Sequence, residues 1–546
     1  MNLLTDPWLP FKRQDGSNEY APITAIVDPD VVDLALPRAD FQGAAYQFLI
    51  GLLQTTMAPR DKEAWVADYQ APPSVAELER MLAGLMSAFE LDSEALAFMQ
   101  DHDLLADEKA SPISGLLIDS PGASTIKNNT DHFVKDGRVR QLCENCVATA
   151  LFTLQINAPS GGKGHRTGLR GGGPLTTLVM PGEAEASLWQ RLWLNVVDRD
   201  AWSYPDPDFT DAGLFPWLGD TRTSEEGQGT FPDDVHPLHA FWAMPRRIRL
   251  AFEESPCRCD LCGRNSERSV RSMRTRNYGF NYDGPWTHPL TPYRFDPKKP
   301  EQLPYSRKAQ PGGISYRHWE ALVMEDEKER GYLPAKAVLD YTDKWDVASD
   351  EEVDLPHVAG LWVFGYDMDN MKPRCWYSTH MPLLALPDRA RSVARTWLRE
   401  MVDLTGASAW LLQTGIKEAW FSRPKDVKGD LSFIAAALWE STEQQFYSSL
   451  MELGAQLGCE TPAQRFPAEL AALWYRHVTR QARELFDDFA LSGPAEQLDM
   501  KRITRARNAF RKKLHNGKEA KAFRKIGRLT AAGQPETVRE SPGETV

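Results

Sequence analysis

Two pairs of cysteines have the spacing that a metal ion selects. Cys143-Glu-Asn-Cys146 is one CxxC pair, and Cys257-Arg-Cys259-Asp-Leu-Cys262-Gly263 contains a second, Cys259 to Cys262. Each CxxC turn presents two thiolates, and four thiolates saturate a tetrahedral Zn²⁺ with no open position for a substrate water. The pattern points to a structural zinc on Cys143, Cys146, Cys259 and Cys262, a staple between distant segments rather than a compact finger. Two alternatives stay open at this point: cysteines that are merely buried, and Cys257 taking the place of Cys259. Catalytic zinc is disfavoured, because no HExxH or similar histidine cluster occurs. Cys257, Cys375 and Cys459 read as ordinary thiols.

Three further segments carry groups suited to phosphates and bases. Ala158–Gly173 is rich in glycine, with Lys163, Arg166 and Arg170 among the glycines. Glycine lets backbone N–H groups approach an anion or a base edge closely, and the cations add attraction. It is not a Walker A loop, since Lys163 is followed by Gly164 rather than Ser or Thr. A plain flexible turn is the competing reading. Ile126–Arg140 is polar and basic: Lys127, Asn128, Asn129, Lys135, Arg138 and Arg140 surround one aromatic, Phe133. Such a loop could stack a base on Phe133 and hold phosphates, or it is a solvated loop. Arg268, Arg271, Arg274 and Arg276 follow the second cysteine pair directly and lead into Asn277. A zinc staple would bring the Phe133 loop and this arginine run to one rigid point.

The elements that must position these groups divide at about residue 380. The chain has 546 residues with 42% apolar and 25% charged residues, enough for more than one core. Its net charge of −13 excludes a protein that coats nucleic acid through bulk charge, so such a role must rest on local patches. The start of the chain lacks a basic, then apolar, leader, and no window approaches a membrane span; with few cysteines, a cytoplasmic location without membrane contact is expected. In the first part, helices are expected over Asp40–Thr56 (capped by Asp40), from the first cysteine pair through Ile156, and over Ser187–Val197. Leu175–Met180 and Val358–Phe364 read as strands, the latter returning near Trp376 through a hairpin around Asp367–Arg374. Asp198–Pro237 reads as irregular. Four helical stretches follow: Asp388–Thr414, Leu431–Leu457, Pro467–Leu491 and Ala495–His515. The expected fold is α+β, a mixed α/β domain over 1–380 followed by an all-α four-helix bundle over 381–529 and a disordered tail over 530–546.

Together these motifs resemble a known family. Met1-Asn-Leu-Leu-Thr-Asp-Pro-Trp-Leu-Pro10, Ala97-Phe-Met-Gln100, the Cys143-x-x-Cys146 helix running into Gly168-Leu-Arg-Gly-Gly172, the Cys259-x-x-Cys262 knuckle, Trp286-Thr-His-Pro289 and Gly365-Tyr-Asp-Met-Asp-Asn-Met-Lys372 are similar to the CasA family, the large subunits of the type I-E CRISPR surveillance complex, Cascade. The resemblance runs from residue 1 into the helical bundle. It implies a non-catalytic subunit in CRISPR antiviral defence that meets the 5′ end of the guide RNA and other Cascade subunits. Such a subunit inspects double-stranded DNA for a short protospacer-adjacent motif (PAM) from the minor groove, starts strand separation for R-loop formation, and receives a helicase-nuclease. By the same resemblance, Lys127, Asn128, Asn129, Phe133, Lys135 and Arg138 lie near the guide RNA and PAM. Ser160, Gly161, Gly162, Lys163 and Gly164, with Arg274, Arg276 and Asn277, contact PAM DNA. Asp369, Asn370, Met371 and Lys372 form the wedge. A zinc-stabilised nucleic-acid enzyme and a purely structural scaffold are the rival functions.

Overall fold

The computed structural model describes all residues except 132–133, 183–185, 351–354, 356–357, 385, 387, 459–462, 495, 497 and 537–546. Phe133 and Cys459 therefore lie outside the described residues. The chain forms two compact units, one from Met1–Pro311 with Ala321–Leu383, the other from Gly312–Glu320 with Leu384–Val546.

The first unit mixes helices with small antiparallel sheets. Helix Ala39–Met57 is apolar at nearly every turn position and is buried on all sides, as such a helix must be. Phe48 at its middle meets Trp8, Phe89, Phe98, Phe152 and Trp242 edge-to-face at ring separations between 5.5 and 6.0 Å. Each such pair contributes roughly 0.5–1.5 kcal/mol beyond burial, so this cluster is the unit's anchor. Asp40 does not cap the helix. The cap position is Arg38, and Asp40 lies in the first turn, where Arg38 and the Tyr366 hydroxyl both donate to its carboxylate.

Helix Glu144–Asn157 begins at the first cysteine pair, with Cys143 as its N-cap residue. Helix Leu188–Trp193 starts where expected, at a Ser187–Gln190 capping box, but ends short of the expected Val197. Asn195 and Val196 N–H donate to Leu192 O and Trp193 O instead, and the Asn195 amide pairs with the Val179 backbone. Residues 198–237 hold only two short 3₁₀ turns, matching the irregular reading. Strand Thr176–Met180 pairs antiparallel with the first strand of a long hairpin, Val358–Asp369 and Lys372–Leu384; the register runs from Phe364↔Thr176 to Gly360↔Met180. The hairpin is several residues longer than its apolar run suggested.

The second unit is helical. Asp388–Trp420, Ser432–Gly458, Ala468–Ala490 and Met500–Asn516 are the four long helices, and a short fifth, Lys518–Ile526, follows. The upstream segment Gly312–Glu320 belongs here because Tyr316 is fully buried among these helices: its ring stacks on Phe446 at 4.3 Å and its hydroxyl meets Thr442 at 2.8 Å. The expected disorder from Thr530 does not hold for residues 530–536. Thr530 N–H donates to Gln534 O, Glu536 N–H donates to Arg528 O, and Gly533, at φ +75°, sits against Tyr475, where a Cβ would come within 2.4 Å of the ring.

Candidate metal centre and nucleic-acid interface

The two CxxC turns converge. All four sulfurs of Cys143, Cys146, Cys259 and Cys262 lie within 4.8 Å of one another, and Cys143 and Cys262 are 3.7 Å apart. Thiolates ~2.3 Å from a central zinc sit roughly 3.8 Å apart on the edges of a tetrahedron, so the spacing fits. Local folding explains it. Cys143 and Cys146 occupy the N-cap and first turn of a helix, where thiolates are favoured by the dipole. Cys259 and Cys262 sit in a turn closed by Gly263 N–H to Cys259 O at 2.9 Å, with Gly263 at φ +73°.

Without a cation the sulfurs perturb one another strongly. Cys146 is pushed far up by hydrogen bonding with Cys143, then with Cys259 and Cys262, and by burial. Cys259 is pushed far down by Cys143, Cys146 and Cys262. Four such neighbours cannot all ionise together unless a positive charge joins them, and a divalent cation meets that need. Cys257 is not the fourth ligand: it is buried, with its sulfur toward Leu142 O and Arg268 O at 4.0 and 3.7 Å.

The knuckle also grips the neighbouring segments. Asp260 accepts from Arg140 N–H and Gln141 N–H at 2.7 and 3.0 Å, and its own N–H donates to Gln141 O at 3.1 Å. Leu142 and Val270 exchange backbone bonds of 3.0 and 2.9 Å. The end of the basic loop and the start of strand Ser269–Arg276 are thus tied to the cysteine cluster, as the spacing predicted. Within the loop, Lys127 ends a short helix, Ala123–Lys127, and Asn129 has φ +52°. Lys127, Asn128, Asn129, Lys135 and Arg138 are all exposed, with Lys135 3.6 Å from Asp131.

The arginine run is mostly neutralised in place. Arg268 bonds Asp92, Glu144 and Glu254 at 2.5–2.8 Å. Arg271 pairs with Glu253 at 2.6 Å, and Arg276 bonds Asp103, Asp107 and Glu108 at 2.6–2.7 Å. Arg274 is half-buried and has no carboxylate partner among the described residues. Asn277, the next position along, is exposed.

The glycine-rich loop docks on that same segment. Ser160, Gly161, Gly162 and Lys163 are exposed; Gly162 and Gly164 have φ of +85° and +78°. The Gly164 carbonyl accepts from Tyr278 N–H at 2.8 Å, and a Cβ on Gly164 would come within 2.8 Å of the Asn277 Cβ. Arg166 is not available to an anion: it donates to the Ser224 hydroxyl and carbonyl at 2.7 and 2.9 Å, and lies over the Tyr278 ring. Arg170, 5% exposed, donates to Gln47, Thr176 and Thr291. Of the loop's three cations only Lys163 is exposed. Tyr278, Ser224 and Arg246, which donates to Pro159 O and meets His165 Nδ1, are clamps with no local sequence signal.

The hairpin tip completes the site. Asn370 and Met371 have φ of +47° and +63°, the two-residue left-handed turn that joins twisted strands tightly. Asn suits that region, whereas Met is held there against roughly 1–2 kcal/mol. Asp369 and Lys372 flank it and are exposed. Met371 Sδ lies 3.1 Å from where a Cβ on Gly172 would be, and Lys308 donates to Gly172 O at 2.8 Å. The tip and the glycine-rich loop are therefore neighbours. Between the hairpin and the basic loop lies a cleft of about 880 Å³, lined in part by Thr125, Thr130, Asp131, Lys372, Arg374 and Trp376. The cleft carboxylates of Asp40 and Asp119 are held by Arg38 at 2.9 and 3.0 Å.

The fold as a whole has known likenesses. The chain resembles a structure of Thermus thermophilus CasA (Cse1), with TM-score 0.67 and 15% identity over 94% of this chain and 99% of that one. Thermobifida fusca Cse1 gives 0.67 and 16% over 95% and 98%. A chain of a CRISPR RNA-guided surveillance complex gives 0.66 and 14% over 94% and 99%. At these identities the likeness establishes the fold. The model of the CRISPR-associated protein Cse1 family matches residues 2–485, and the chain accordingly belongs to the Cse1 family.

Proposed function

We propose that this protein is the non-catalytic large subunit of a cytoplasmic, RNA-guided CRISPR surveillance complex, reading a short motif in double-stranded DNA and starting strand separation. The single observation that carries this is a chain of close approaches: the Met371 tip lies against Gly172 beside Pro159, at the base of the loop Ser160–Gly164, and Gly164 of that loop lies against Asn277. A minor groove is ~6 Å wide and offers a code that mainly separates A·T from G·C. The backbone of Gly161 and Gly162 enters such a groove where side chains would clash, with Asn277 able to bond base edges and Lys163 a phosphate. The hairpin tip beside it presents an apolar wedge, Met371, on a rigid two-stranded arm. Unstacking one base step costs a few kcal/mol, offset by the contacts that follow and by guide–target pairing.

The remaining groups have supporting parts. Cys143, Cys146, Cys259 and Cys262 would hold a structural zinc, which supplies the charge that lets four thiolates coexist. The cysteine turns fix the C-terminal end of the loop carrying Lys127, Asn128, Asn129, Lys135 and Arg138, which faces the guide-RNA 5′ end in this reading. Arg276, locked by three carboxylates, positions Asn277 rather than binding phosphate. Other complex subunits and a helicase-nuclease are the expected protein partners. The test uses the RNA-loaded complex: Lys163→Ala is expected to lower duplex affinity and reduce the salt slope by about 0.9, the value of one phosphate contact. An unchanged slope places Lys163 in solvent and removes the loop from the interface.

A further inference from the structure

Lys308 stands in a short stretch, Tyr305–Ala309, that is stitched to both parts of the site. On the side of the glycine-rich segment, the Ser306 hydroxyl donates to Arg170 O, and Leu175 N–H donates to Arg307 O at 2.8 Å. Lys308 itself forms a β-bridge with Pro174. On the side of the hairpin, Ala309 bridges to Asp367, whose carboxylate holds Arg374 of the returning strand at 2.7 Å. Lys308 has no carboxylate partner among the described residues; its ammonium donates to Gly172 O at 2.8 Å.

That ammonium is closely fitted. A Cβ on Gly171 would come within 2.7 Å of Lys308 Nζ, and Gly171 and Gly173 have φ of +75° and +60°. Only glycine takes those two positions without strain, so the turn is shaped to offer the Gly172 carbonyl. Gly172 also meets the tip: Met371 Sδ lies 3.1 Å from where its Cβ would be, and Met368 comes equally near at Gly173. The charged and titratable groups on the packed segments are few. They are Arg170, which donates only to uncharged partners, Arg307 beside Lys308, the Asp367–Arg374 pair, and Tyr366, whose hydroxyl is committed to Asp40. Burial first, and then the positive charge of Arg170, hold Lys308 down to about 8. A buried ammonium beside a like charge is unfavourable. An apolar side chain of the same length would fill this space without that penalty, so the charge points to a role beyond packing.

We propose that Lys308 is a positioning residue for strand opening: its ammonium pins the Gly172 carbonyl, and Gly172 in turn supports Met371 in the turn that wedges the duplex. This rests on the reading above that the Asn370–Met371 tip starts strand separation. Met371 occupies a backbone region that disfavours a side chain, so the support against it decides whether the tip keeps its shape under load. Losing the proton turns a charge-assisted hydrogen bond into a neutral one of about half the strength. Motif reading by Lys163 and Asn277 belongs to another part of the loop, held where Tyr278 N–H meets Gly164 O.

The test uses the RNA-loaded complex and a guide-matched duplex with a base-analogue fluorophore beside the motif. Wild-type opening is expected to fall about tenfold from neutral pH to about pH 9, as one proton leaves a group that titrates near 8. Affinity for a motif-bearing duplex without the guide match should stay level over that range. Lys308→Met, similar in length and uncharged, is expected to open DNA about tenfold less at neutral pH and to show no step near pH 8. Wild-type opening that is level with pH, or full opening by Lys308→Met, overturns the assignment. A step that persists in Lys308→Met also overturns it, because another group then titrates. Equal loss of motif affinity and opening in Lys308→Met does the same, because the residue then merely holds the fold. A wild type that binds the motif at every pH yet opens nothing refutes the wedge reading itself, and this inference falls with it.

Discussion

Replacing Cys143 by Ser removes one of four sulfurs from a cluster whose members lie within 4.8 Å. Serine keeps the side chain's size but offers a hydroxyl that does not ionise at neutral pH. Structural zinc sites contribute ~10–16 kcal/mol in small domains, so one ligand in four is worth about 2.5–4 kcal/mol. That loss falls on defined contacts. The Asp260 clamp on Arg140 and Gln141 and the Leu142–Val270 exchange all hang from the knuckle. The expected result is about one zinc per chain in the reduced wild type and much less in Cys143→Ser. The variant should also melt several degrees lower, and hydrogen exchange should accelerate at Arg140, Gln141, Leu142, Asp260 and Val270. Helix Ala468–Ala490, in the other unit, should exchange as before. Cys375→Ser, at an exposed thiol, is the control and should keep its metal. A zinc-free wild type with the same melting and exchange as Cys143→Ser would refute the reasoning.

Three further outcomes are expected. Met371→Gly relieves roughly 1 kcal/mol of left-handed backbone strain, offset by about 0.5–1 kcal/mol of added unfolded-chain entropy, while deleting the wedge side chain, so strand opening, read by a base-analogue fluorophore, should fall with no drop in melting temperature; retained opening contradicts the wedge. Gly162→Ala adds only left-handed strain, because nothing lies within 4 Å, whereas Gly164→Ala also pushes on Asn277; Gly164→Ala should cost more duplex affinity, and equal effects would sever the link between loop and Asn277. His239, buried between Gly213 O and the Tyr282 hydroxyl, is held down to about 4 by burial and stays neutral when folded. The unfolded chain takes up that proton between pH 6.5 and about 4, so stability is lost as pH falls through this window, at ~1.4 kcal/mol per unit and about 3 kcal/mol in all. His239→Asn should flatten that part of the stability profile; an unchanged slope rules His239 out.

What was legible in the sequence follows the range of the forces involved. CxxC spacing is local, and it named the four sulfurs that converge. Helical periodicity is local too, and it found the two middle long helices to within a residue, because each buries one stripe. It stopped the first at Thr414 instead of Trp420 and began the last at Ala495 instead of Met500. The hairpin is legible around Asp367–Arg374, whereas its turn residues, Asn370 and Met371, carry no Asn-Gly signature that singles them out. The arginine run read as a basic patch, yet Arg268 and Arg276 meet carboxylates from residues 92–108, a pairing made only by the fold. Asp40 has the side chain of a cap, but a buried Tyr366 and Arg38 claim it instead. Tyr316 sits in a loop-like stretch whose neighbours give no hint that it completes a helical core more than a hundred residues downstream.

The most direct measurement pairs the RNA-loaded complex with a library of duplexes randomised beside a guide-matched target. The account predicts that complex containing this protein enriches a small set of related motifs, tolerant of A·T inversion as minor-groove reading requires, and that Gly164→Ala erases the enrichment. Uniform recovery of all flanking sequences, or enrichment that survives Gly164→Ala, would contradict it.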